Sequence, residues 1–260
     1  LKIASKSFYR AAKDGTPPPD SLMIELEFWN YSSGIEKSRK QMESLQLPHE
    51  QQVFTRLTIP RRRDEWLASR WLVKQLIVRV AKLPEGEACS VEILKDYTGK
   101  PGVLVAGKPF GSISISHSAG VLLAGFSKNE TNIFGCDVEK ITSHSAAFLE
   151  DYFTRNERFW LADSKDIPFN SSLLWSAKEA VLKALGRGLS IDTRMVECHP
   201  WLQQSTHFSG WKQFEVVVMG LPYPLRTVWR QVDDYVLTVC QLAEQAPIDL
   251  KLTIRDPGAY

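Results

Sequence analysis

Ser171-Ser172-Leu173-Leu174-Trp175-Ser176-Ala177-Lys178-Glu179-Ala180-Val181-Leu182-Lys183-Ala184-Leu185 is the stretch on which the fold reading turns. Leu174, Ala177, Val181 and Leu185 recur at helical spacing and are expected to pack inward. Trp175, Glu179 and Lys183 stand at i, i+4 and i+8, one above another on a neighbouring face. Gly186 and Gly188 follow at once and mark the helix's C-terminal stop. Beyond them, strand-like runs are expected at 214–219, 227–232 and 235–241.

The same order occurs once upstream. Arg61-Arg62-Arg63-Asp64-Glu65-Trp66 opens an amphipathic helix to about Lys82, with Leu72, Val73, Leu76, Ile77 and Val80 as its apolar positions. Arg63, Arg70 and Lys74 read as one basic stripe along it. Strands are predicted at 89–94, 111–116 and 121–127, with a Gly/Pro-rich loop between the first two. Another strand is expected at 132–139, before a helical region near 145–162. Residues 23–29 alternate apolar and charged and read as the first strand, followed by a polar, partly helical stretch at 34–57. Helix then strands, twice, with a midpoint near residue 130, gives an α+β fold class with two similar lobes at 21–130 and 131–246. Residues 1–20, with Pro17-Pro18-Pro19, read as a flexible segment, and 247–260 as an uninformative tail.

At 260 residues and 29.5 kDa there is room for one large domain or two small ones. The 43% apolar and 24% charged content is that of a soluble globular protein, and a net charge of +2 argues against nucleic-acid binding as the main activity. The longest apolar runs, such as 121–126, are too short to span a membrane, and the first residues carry no apolar signal-peptide core. Cys89, Cys136, Cys198 and Cys240 are far apart with no CxxC pattern, so free thiols in a reducing compartment, the cytoplasm, are expected.

Four segments carry chemistry. In Gly135-Cys136-Asp137-Val138-Glu139, Asp137 and Glu139 are two apart on a strand and project from the same face. Two parallel carboxylates repel, so one protonates unless a cation sits between them, and Mg²⁺ is a natural choice. Two surface acids at a solvated strand end would give the same pattern. On the second helix, Glu179 is either a third carboxylate for that metal or simply an i,i+4 partner of Lys183. Ser114-Ile115-Ser116-His117-Ser118 ends an alternating strand and can offer donors to a phosphate, or merely satisfy its own turn. Gly99-Lys100-Pro101 displays a Lys on a tight turn, and Gly107-Lys108-Pro109 offers a second candidate. Neither is a P-loop.

The order and spacing of these segments, with Arg62-Arg63-Asp64-Glu65-Trp66-Leu67-Ala68-Ser69-Arg70, resemble the 4′-phosphopantetheinyl transferases of the long, single-chain, surfactin-synthetase-activating class. The motifs span about residues 61–189. Ser69 stands where the family usually has Gly, and Cys136 where an aliphatic residue is more usual. The resemblance implies two similar α+β lobes related by a pseudo-twofold, with the coenzyme A site in the cleft between them. It implies Asp137, Glu139 and Glu179 as ligands of Mg²⁺ (or Mn²⁺), and Lys183 as a contact to the coenzyme's pyrophosphate. Glu179, directly or through a water, would take the proton of the accepting serine. Arg62, Arg63, Lys100, Ser116 and His117 would bind coenzyme phosphates, Lys100 being preferred to Lys108 by its separation from His117. The implied reaction moves the phosphopantetheine arm of coenzyme A onto a serine of an apo acyl or peptidyl carrier protein, releasing adenosine 3′,5′-bisphosphate. No nucleic-acid or membrane partner is expected, and the chain is expected to act as a monomer. A metal-dependent phosphoesterase would use the same carboxylates to direct water at the pyrophosphate, whereas a silent coenzyme-binding module would lack a metal ligand, and Asp137, Glu139 and Glu179 are all present.

Overall fold

In the computed structural model, residues 23–255 are described apart from 33–34, 45–46, 85, 97–98, 187, 189–190, 206–209, 223–224 and 243–247. The segment read as flexible, 1–20, lies outside the described residues. The first half runs β1 (Ile24–Asn30), α1 (Ile35–Ser44), α2 (Pro48–Arg56), α3 (Pro60–Ala81), then β2 (Val91–Lys95), β3 (Pro101–Val105), β4 (Lys108–Ser118) and β5 (Val121–Ser127). The second half runs β6 (Phe134–Lys140), α4 (Ala146–Tyr152), α5 (Arg155–Ala162), α6 (Ile167–Ala184), then β7 (Val196–Ser205), β8 (Lys212–Val218), β9 (Leu225–Val232) and β10 (Tyr235–Leu242). A last strand, β11 (Leu250–Arg255), follows.

The strands form a six-stranded sheet ordered β11-β1-β5-β4-β3-β2 and a five-stranded sheet ordered β6-β10-β9-β8-β7. With β11 set aside, the two orders are the same: the opening strand of each half pairs antiparallel with its last. Each sheet carries one long helix. Leu67, Leu72, Leu76 and Ile77 of α3 pack with Trp29, Leu122 and Phe126 of the first sheet. Leu174, Ala177 and Val181 of α6 pack with Val216, Val236 and Cys240 of the second, the face expected from their spacing. A third apolar layer lies between the sheets, with Ile24, Leu26 and Leu123 on one side and Cys136, Val138 and Val239 on the other. The central strands are therefore buried on both faces.

Both long helices form where local sequence favours them. Pro60 starts α3 at a position where its missing N–H costs nothing. Asp166 caps α6 by accepting from the Phe169 N–H at 3.0 Å, so this helix begins four residues before the predicted Ser171.

Four readings change. The Gly/Pro-rich segment is not a loop: β3 begins at Pro101, the first position of a strand, which Pro tolerates, and shifts register between Gly102 and Leu104. The outer strand β7 carries Pro200, which weakens its strand signal, and was not expected. The tail is not featureless, because β11 pairs parallel with β1 from Ile24 opposite Leu250 to Trp29 opposite Arg255. Arg255 and Arg79 both pair with Glu27, which has no exposed surface. Finally, the basic stripe on α3 does not face solvent as a unit. Lys74 is 1% exposed and paired with buried Glu50 at 2.6 Å, while Arg63 stacks on Phe54 and Arg70 on Trp66. Helical spacing put these residues on one side of α3, and α2 covers that side.

Candidate active site where β4, β6 and α6 meet

Gly135 lets the site assemble. A Cβ at this position would stand 2.1 Å from the Ala180 carbonyl oxygen and 2.5 Å from the Ala184 nitrogen. Without a side chain there, α6 sits directly on β6 and brings Lys183 over Asp137. Asp137 is 1% exposed. Its Oδ1 accepts from Lys183 Nζ and from Ser116 Oγ, each at 2.6 Å, and its Oδ2 is buried without a partner among the described residues. Glu139, two residues on, accepts from Ser118 Oγ at 2.8 Å, and that hydroxyl also accepts from the Lys140 N–H at 3.2 Å. Ser114 Oγ accepts from the Cys136 N–H at 2.9 Å. Alternate residues of β4 thus form a row of hydroxyls along β6.

The electrostatics follow from this crowding. Burial, and then the Asp137 charge, push the Glu139 carboxyl up to about 7. The same two causes, in the same order, raise the Glu179 carboxyl. Burial works against the Lys183 ammonium, but Asp137 outweighs it and raises the lysine above its ordinary value. Glu179 has no hydrogen bond or ion pair to a described residue, so the alternative of a simple Glu179–Lys183 pair is not the arrangement observed. Among the described residues, no three His, Cys, Asp or Glu groups close to metal-ligand spacing. The chemistry nevertheless suits a hard divalent cation: three mutually repelling carboxylates, one of them with an unpartnered buried oxygen.

A cleft of about 110 Å³ opens beside the carboxylates, lined by Lys100, Pro101, Ile113, Ser114 and Ile115 from the first half and Lys183, Gly186 and Gly188 from the second. Lys100 lies close to Gly186: a Cβ on that glycine would touch Lys100 Cδ at 3.3 Å. Lys108 lies exposed beyond the other end of β3, outside the lining. Ser116 faces Asp137 with 5% exposure, whereas its neighbour His117 points outward, its Nδ1 3.9 Å from Glu65 Oε2 of α3. The N-terminal end of α3 meets the end of β4 there, with Arg62 exposed and Arg63 held against Phe54.

Two further functional supports had no assigned role in the sequence. Ser118 continues the period-two spacing of Ser114 and Ser116, a signal that could have marked it. Lys178, next to Glu179, is fully buried and pairs with fully buried Glu157 at 2.9 Å, and it donates to the carbonyls of Thr193 and Val196. Glu157 also accepts from the Thr154 and Cys198 N–H groups. The Thr154-to-Glu157 spacing marks only a helix cap, which hides this second role.

Among the described residues, no helix is long and apolar enough to cross a membrane. The family model of the 4′-phosphopantetheinyl transferase superfamily matches residues 133–240, a stretch that contains Asp137, Glu139, Glu179 and Lys183. A 4′-phosphopantetheinyl transferase (gsp) of Aneurinibacillus migulanus is 27% identical over 173 residues, 65% of this chain and 68% of that protein. Another (ffp), of Bacillus subtilis, is 28% identical over 138 residues, 51% of this chain and 59% of its own. A crystal structure of Thermotoga maritima holo-[acyl-carrier-protein] synthase aligns with a TM-score of 0.35 and 18% identity, over 44% of this chain and 66% of that one. Residues 133–240 thus match the 4′-phosphopantetheinyl transferase superfamily, and over the larger part of its length the chain is similar to 4′-phosphopantetheinyl transferases.

Proposed function

We propose that this enzyme transfers the 4′-phosphopantetheine arm of coenzyme A to a serine hydroxyl of an apo acyl or peptidyl carrier protein and releases adenosine 3′,5′-bisphosphate. The observation that carries this reading is the Asp137–Glu139–Glu179 carboxylate group with Lys183 at the crossing of β6 and α6, inside the stretch that matches the family. Asp137, Glu139 and Glu179 would hold Mg²⁺ (or Mn²⁺), which when bound neutralises charge on phosphate oxygens. Glu179, whose carboxyl is raised by burial and by Asp137, takes the serine proton directly or through a water. Lys183 and Lys100, both lining the cleft, contact the coenzyme's phosphates and steady the departing one. Ser116 orients Asp137, and His117, beside Glu65 of α3, would join Arg62 and Arg63 in binding the 3′-phosphate. Both halves line the cleft, which supports a site completed within one chain. Three buried free thiols support a reducing, cytoplasmic setting.

Intact-mass analysis tests the reading. Apo carrier proteins incubated with this enzyme, coenzyme A and Mg²⁺ are expected to gain the mass of one phosphopantetheine on serine. Hydrolysis of coenzyme A with no gain across a broad carrier panel would overturn it in favour of a phosphoesterase.

The 3′-phosphate contact has its own test. Replacing Arg62 and Arg63 together by Ala is expected to weaken coenzyme A about tenfold or more, since charge-assisted bonds to phosphate are worth roughly 1.5–3 kcal/mol. Binding of 3′-dephospho-coenzyme A should change little. Because Arg63 also covers Phe54, a thermal melt separates lost packing from lost contact. Equal weakening of both ligands would remove these arginines from the role.

A further inference from the structure

Lys183 stands between two functions. Its Nζ is 2.6 Å from Asp137 Oδ1, in an ion pair whose carboxylate is 2% exposed and whose lysine side chain is 26% exposed. The same side chain lines the cleft in which Lys100 stands. The ammonium therefore caps a carboxylate oxygen while the same residue borders the cleft. The tight seat of α6 on β6 at Gly135 keeps the lysine stem near Asp137. No other described cation is recorded within ion-pair distance of Asp137.

We propose that Lys183 is an internal counter-ion that holds Asp137 until a divalent cation displaces it, the freed ammonium then passing to the coenzyme's phosphates. This rests on the metal reading given above and adds to it an exchange of cations at Asp137. The Lys183 charge on Oδ1 repels a second cation at the same carboxylate, so the protein alone loads metal weakly. Phosphates that accept the ammonium relieve that repulsion, and metal and coenzyme A strengthen each other's binding reciprocally. The arrangement keeps a buried carboxylate paired in the resting enzyme and delays metal loading until substrate is present.

The test is Mn²⁺ binding to the full chain without coenzyme A, followed by loss of the free-ion electron paramagnetic resonance signal. Lys183→Met is expected to bind Mn²⁺ about tenfold or more tightly than the parent protein, and Lys183→Gln, which retains a polar end, should shift the same way. Adding coenzyme A should tighten Mn²⁺ binding in the parent more than in either variant. Asp137→Asn removes the contested oxygen charge and should weaken binding in both backgrounds. Equal or weaker Mn²⁺ binding by both folded lysine variants overturns the counter-ion, even where the parent binds Mn²⁺ with coenzyme A present. No Mn²⁺ binding by any of these proteins, with or without coenzyme A, overturns the three-carboxylate metal site itself.

Discussion

Glu179→Gln is expected to lose at least about a hundredfold in phosphopantetheine transfer at saturating Mg²⁺ while folding normally. The carboxylate lies on α6 where burial and the Asp137 charge both press on it, and no described hydrogen bond or ion pair depends on it. On the proposed function, removing its charge takes away the proton acceptor and one of three carboxylates for the cation. Loss of electrostatic stabilisation at a reacting centre typically costs about 10²–10³ in rate. The fold should hold, because Gln keeps the shape and removes one of three repelling charges. Carrier-protein mass gain per minute measures the first effect, and a thermal melt the second. Near-normal turnover by a folded variant would reduce Glu179 to a surface residue and remove the centre of the proposed site.

Lys178→Met should have the largest effect on stability. Lys178 and Glu157 are both without exposed surface, and the lysine joins α6 to the start of β7 through the Thr193 and Val196 carbonyls. Removing one partner leaves the Glu157 charge buried and uncompensated, which costs about 3–5 kcal/mol. Urea unfolding is expected to show that loss in the midpoint. The double variant Lys178→Met/Glu157→Gln should lose less than Lys178→Met alone, because no unpaired charge remains. Equal losses would mean that the carbonyl contacts, and not the ion pair, hold α6 in place. Because Glu179 is the next residue, any displacement of α6 should also lower transfer, so activity is compared only under conditions where each variant is folded.

Much of the architecture was legible because it rests on local periodicity. The apolar faces of α3 and α6, the first strand, and β6, β8, β9 and β10 of the second sheet were readable from local pattern, and those elements formed. The same period puts Asp137 and Glu139 on one face of β6, where burial and then the Asp137 charge raise the Glu139 carboxyl. What period could not reveal lay at sheet margins and in long-range pairing. β3 and β7 contain Pro, which breaks the strand signal without preventing a strand at its first position or at an outer edge. Lys74, read as part of a basic stripe, pairs with Glu50 of α2.

The sequence by itself determined the repeated helix-and-strand order, the spacing of the acidic and basic residues, and the family they resemble. Each of these depends on neighbours within a few positions. Only the tertiary structure decided which charge meets which. Lys183 lies four residues from Glu179 yet pairs with Asp137, 46 positions away, because Gly135 lets the helix settle directly on the strand. Likewise, the serines of β4 face the acids of β6. Ion pairs and hydroxyl contacts act over a few ångströms, so they are set by how the two sheets and α6 pack, and local spacing carries no record of that packing.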